Sequence, residues 1–146
     1  MAKYTDLVIP RLRDLESKRY SLSAIPKEIE SIKMRMTAIR SATTDSEPVK
    51  GGTNRREDAL VGCIAEIDYL EKKLAANQAE VGIIDDAIAH LPPNERTCIE
   101  RFFIKGERNA AFRLSSELGY EKSQVYRIKD EGLIRLSKLL YGVAEL

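Results

Sequence analysis

The stretch LSSELGYEKSQVYRIK, Leu114 to Lys129, decides how this chain is read. Helical spacing runs up to Gly119 and resumes beyond it at Val125 and Ile128. A glycine inside a helix costs roughly 1 kcal/mol relative to alanine. The polar run Glu121-Lys122-Ser123-Gln124 follows at once. Two short helices meeting at a tight corner account for all of these features. A helix-turn-helix joins its helices through about three or four residues, often with a glycine that can take left-handed backbone.

The side-chain pattern agrees with that reading. With Ala111 as the first place of a 20-residue unit ending at Asp130, Leu114, Leu118, Tyr120, Val125 and Ile128 fall at places 4, 8, 10, 15 and 18. These places pack inward in the motif. Small Ser115 falls where the helices approach most closely, and Gly119 falls at the turn. The second helix of such a unit lies in the DNA major groove, with its N-terminal residues at base edges. Lys122, Ser123, Gln124 and Arg127 are therefore the candidate base readers, since Gln suits adenine and Arg suits guanine. Arg108, Arg113, Tyr126 and Lys129 are candidates for phosphate contacts, which position a protein without reading sequence.

Working outward, Leu91-Pro92-Pro93 stops a long helix and starts a new one. Three helices are expected beyond it, about 93–105, 108–118 and 122–141, so residues 92–146 form a three-helix DNA-binding unit. This region resembles the region-4 DNA-binding domain of bacterial sigma factors. The shared frame is Leu91-Pro92, Arg96, the apolar helix Ile99 to Ile104, Ala111, Leu118-Gly119, and Ser123 with Val125 and Arg127. With the long helices ahead of it and the Leu-Tyr-Gly close at 140–142, the chain is similar to phage and prophage transcription regulators of the RinA/ArpU kind. The resemblance implies an activator of phage late or autolysis genes that works on double-stranded DNA with RNA polymerase. Three features depart from the sigma pattern, the first being that the linker Gly106-Glu107-Arg108-Asn109 lacks the usual Ser/Thr-x-x-Glu cap. Phe112 stands where a polar residue is common, and the second helix carries Glu121, Asp130 and Glu131 beside its basic residues.

Residues 1–91 read as an antiparallel helical hairpin with a loop at about 41–54. In the first arm, Leu22, Ile25, Ile29, Ile32, Met36 and Ile39 alternate spacings of three and four, a coiled-coil seam. Pro26 interrupts this arm, so a kink or a junction of two pieces is expected near Ala24–Pro26. The second arm, about 55–90, carries Leu60, Cys63, Ile67, Leu70, Leu74, Asn77, Val81, Ile84, Ile88 and Leu91 in the same rhythm. Asn77 is its one polar member, suited to fixing register or to a locally wet stretch.

Charge divides along the same lines. The whole chain is net +1, yet residues 1–40 carry nine basic and five acidic side chains, residues 41–91 five and ten, and residues 92–146 ten and eight. The acidic second arm repels DNA, which assigns the hairpin to self-association or contact with the transcription machinery. A homo-oligomer is the expected state.

Enzyme chemistry finds little to work with. His90 is the single histidine, and Gly51-Gly52 is followed by no phosphate-loop lysine. Cys63 and Cys98 lack metal-ligand spacing and read as reduced thiols of a cytoplasmic protein. No catalytic residue, cofactor, metal or membrane segment is expected. Two rivals stand beside the regulator: a helical protein–protein adaptor, and a small-terminase-like packaging protein, which also joins a helix-turn-helix to oligomerising helices.

Overall fold

The computed structural model describes residues 4–42 and 55–144, together with the backbone but not the side chains of 52–54. As expected, the chain is all-helical, with no strand among the described residues. Its helices are α1 (Tyr4–Arg13), α2 (Leu15–Ser41), α3 (Gly52–Ala89), α4 (Pro93–Ile99), α5 (Ala110–Leu118) and α6 (Lys122–Tyr141). A π-helical turn, Glu100–Ile104, continues α4 without a gap. Most of the expected 41–54 loop lies outside the described residues, and α3 already begins at Gly52. None of the described helices is long and apolar enough to cross a membrane.

The first arm does not divide where the prolines suggest. The regular pattern is interrupted at Asp14, whose amide still donates to Pro10 O and whose carbonyl still accepts from Lys18 N, each at 3.0 Å, and α2 runs through Pro26. Pro26 is exposed and removes one backbone amide from α2, and the helix continues on both sides of it. The interruption at Asp14 instead falls between two fully buried leucines, Leu12 and Leu15.

The chain packs as two compact units. Residues 1–18 pack with 80–146, and residues 19–79 form the other unit. The reason is the apolar face of the N-terminal segment. Val8, Leu12 and Leu15 are completely buried, and α1 packs along α6 and the π turn. Tyr4 stacks on Tyr141 with ring centroids 5.3 Å apart. Arg11 donates to the Tyr141 hydroxyl at 2.9 Å and to both Glu80 carboxylate oxygens at 3.0 and 2.5 Å. That pairing holds the Glu80 carboxyl below its ordinary pKa.

In the 19–79 unit, Ile32, Met36 and Cys63 form the buried centre, flanked by Ile39, Leu60, Ile67 and Leu70. α2 and α3 run antiparallel there. Ser21 meets Asn77, Arg35 meets Glu66 and Ala42 meets Arg56, so advancing along α2 means retreating along α3. Asn77 is buried and donates to the Ser21 hydroxyl at 2.8 Å. The seam's polar residue is thus paired across the two helices rather than left to water.

In the other unit α4 and α6 approach closely at Gly132. A Cβ there would stand 3.0 Å from Ile99 Cγ1 and 3.4 Å from Glu95 Cβ. Glu95, itself buried, accepts from Arg135 Nε at 3.1 Å beside this crossing. The π turn then inserts one residue, with Lys105 N donating to Glu100 O at 2.8 Å. The consecutive rings of Phe102 and Phe103 serve different surroundings: Phe102 joins the core under α5 and α6, while Phe103 lines a cleft between α1 and α6.

Candidate nucleic-acid interface

The residues spaced for inward packing meet in one core. Leu114 and Val125 are completely buried with Cys98, and Phe102, Leu118, Tyr120 and Ile128 pack around them. Burial raises the Cys98 thiol pKa. Ala111, also buried, keeps α5 close to its neighbours.

The turn is Gly119-Tyr120-Glu121. Gly119 takes φ 75° and ψ 22°, left-handed backbone, and its N–H closes α5 onto Ser115 O at 3.0 Å. The Ser115 hydroxyl crosses the turn and donates to the Tyr120 carbonyl. Asn94 in α4 donates to the Tyr120 hydroxyl at 3.1 Å. Tyr120 is therefore held at both its backbone and its ring end. Glu121 then opens α6 by accepting from the amides of Gln124 and Val125, each at 3.0 Å.

This corner presents the first turns of α6 outward. Lys122, Ser123 and Arg127 are exposed, and Gln124 is half-buried. Of the base-reading candidates, three thus face solvent fully and Gln124 only in part.

The phosphate candidates are placed less uniformly. Arg108 lies outside α5, which begins two residues later, at Ala110, than the sequence pattern suggests. Two left-handed residues, Gly106 at φ 57° and Asn109 at φ 56°, delay the helix start. Arg113 pairs with Glu107 at 2.8 Å. Tyr126 is 46% exposed, with its ring 5.9 Å from that of Phe102. Lys129 is half-buried, its Nζ 5.4 Å from the Phe102 ring, 5.1 Å from the Tyr126 ring and 3.3 Å from Asp130.

An ion-pair network missed by sequence reasoning explains where the acidic charge goes. Arg101 donates to the carboxylates of both Glu107 and Glu117, and Arg113 also reaches Glu107. The Arg101 bond is the larger cause of a Glu107 pKa near 2, against an ordinary 4.5, with Arg113 adding to it. Arg101 likewise lowers Glu117. Two positive and two negative charges close on one another here. Arg108, Lys122 and Arg127 remain exposed with no ion-pair partner among the described residues. The partners in this network lie up to sixteen residues apart, so no local spacing rule could have paired them.

Sequence reasoning also passed over the role of Phe112. It is 59% exposed on α5, and Lys122 Nζ stands 5.3 Å from its ring centroid. No family model, curated protein or solved structure matches the chain.

Proposed function

We propose that α5, the Gly119 turn and α6 form a sigma-region-4-like helix-turn-helix, and that the chain is a DNA-binding transcription regulator without catalytic activity. In this reading it activates phage or prophage genes. α6 enters the major groove with Lys122, Ser123 and Arg127 toward base edges, while Arg108 approaches the phosphate backbone. The antiparallel α2–α3 segment serves self-association or contact with RNA polymerase, and its acidic second helix stays away from the duplex.

One observation carries this reading. Leu114, Leu118, Tyr120, Val125 and Ile128 share a single core behind a left-handed glycine, and the polar start of α6 faces outward. The adaptor reading draws on a different observation. Val61, Ile64 and Tyr69 on α3 are each more than half exposed, as protein-binding faces are.

The test is selection of duplexes from a random-sequence pool by the purified protein at two salt concentrations. A recovered motif whose affinity falls with salt supports the regulator, and its symmetry reports the dimer geometry. No enrichment at either salt favours the adaptor. Sedimentation equilibrium separates the assembly options: dimers fit the regulator, and ring-sized oligomers fit a packaging protein.

A further inference from the structure

We infer that Phe112 is a positioning residue for DNA recognition, holding the Lys122 ammonium at the front of the α5–α6 corner through a cation–π contact. This rests on the helix-turn-helix reading and adds to it a residue that is neither a base nor a phosphate candidate. Three observations carry it. Phe112 is 59% exposed, far more than an aromatic with a place in the core. It sits on the first turn of α5, across the corner from Lys122, the first residue of α6. The two meet with Nζ 5.3 Å from the ring centroid, inside the roughly 6 Å reach of a cation–π contact.

The physical need is clear. Lysine is a point charge on a flexible four-carbon stem, and it loses rotamer freedom whenever it docks. Lys122 has no carboxylate partner among the described residues to steady it. An ion pair in that place would oppose the field of DNA, because the carboxylate would be repelled along with it. An aromatic face restrains the ammonium without adding negative charge, and all of the ammonium's hydrogen-bond donors that point away from the ring stay available to an acceptor. A helix-turn-helix with a polar residue in place of Phe112 lacks this restraint.

The test uses the full chain with Phe112→Leu, Phe112→Tyr, Lys122→Ala, and Phe112→Leu combined with Lys122→Ala. Each is run against the random-sequence duplex pool and then against the duplex that the unmodified chain selects. Because Phe112 is exposed, these variants keep the unmodified chain's helical circular dichroism. Phe112→Leu should weaken binding to the selected duplex by roughly 2- to 5-fold, the size of an exposed cation–π contact. It should also flatten the preference at the one base pair that Lys122→Ala flattens. Phe112→Tyr should restore both, and Phe112→Leu should change nothing further once Lys122 is alanine.

Full binding and preference in Phe112→Leu overturn the inference while leaving the helix-turn-helix reading intact. So does a loss that adds to that of Lys122→Ala, which would make Phe112 a direct contact to DNA. Failure of the unmodified chain to select any duplex overturns the reading and the inference with it.

Discussion

At Gly119 and Arg127 the demands on single residues differ in kind. Gly119 is held at φ 75°, where a side chain meets no neighbouring atom but strains its own backbone. Left-handed backbone costs an L-residue roughly 1–2 kcal/mol, so Gly119→Ala should lose about that much stability in urea unfolding. A loss near zero would show that the corner can relax to another conformation. Arg127 is exposed on α6, and its replacement should leave stability unchanged. If it reads guanine, Arg127→Ala loses about 1–3 kcal/mol of binding and relaxes preference at one base pair. Equal weakening on every duplex would instead make it a phosphate contact.

At the scale of elements, glycines report how closely helices approach. Gly132 faces Ile99 and Glu95 where α6 crosses α4, and the Ile99 it would press on is completely buried. Gly132→Ala should therefore destabilise by about 1–3 kcal/mol through overpacking, less the helix propensity that alanine gains. Gly62 in α3 has open space around its Cα and an ordinary helical backbone. Gly62→Ala should stabilise by about 0.4–1 kcal/mol, so the two substitutions shift the thermal midpoint in opposite directions. A shift of the same sign for both would mean that the α4–α6 crossing adjusts freely.

The ends of α5 are tied electrostatically, with Arg101 bound to Glu107 before the helix and Glu117 near its close. Glu107 has a folded pKa near 2 against an ordinary 4.5. A lowered carboxyl pKa contributes stability that is present above the unfolded value and lost as pH falls toward the folded one. The thermal midpoint should thus fall as pH drops from about 4.5 toward 2. Arg101→Gln should remove most of the part of that fall carried by Glu107 and Glu117, with Arg113 still holding some of Glu107's share, and an unchanged pH profile in that variant would show that Arg101 contributes nothing to stability.

For the molecule as a whole, the consequence is a restrained attraction to DNA. The net charge is +1, and Arg101 and Arg113 are spent on Glu107 and Glu117. Arg108, Lys122 and Arg127 are the exposed cations of the proposed interface without ion pairs among the described residues. Each neutralised phosphate adds about −0.9 to the slope of log K against log salt. Arg108 alone on phosphate predicts a slope of about −1 per bound chain by fluorescence anisotropy, and about −3 would mean that Lys122 and Arg127 also neutralise phosphates. A slope steeper still would mean that the Arg101 network opens on binding and releases Arg113. If each chain binds DNA weakly, assembly through α2 and α3 would raise apparent affinity without new contacts, because the sites are then linked.

The all-helical class, the corner at Gly119 and the residues that meet behind it were legible because they depend on local periodicity. A repeat of three and four residues puts Leu114 and Leu118 on one face whatever the rest of the chain does. Tertiary packing decided the rest. Pro26 looked like the natural break, but α2 passes through it, and the interruption falls at Asp14 between buried leucines. The face of α1 is apolar in sequence, yet only the folded chain shows that α6 and the π turn cover it. The Arg101 network and the contact of Lys122 with Phe112 join residues six to sixteen positions apart on different elements. Periodicity says which side of a helix is apolar; which side chains meet depends on how helices cross, and that is set by the sum of contacts over the whole unit.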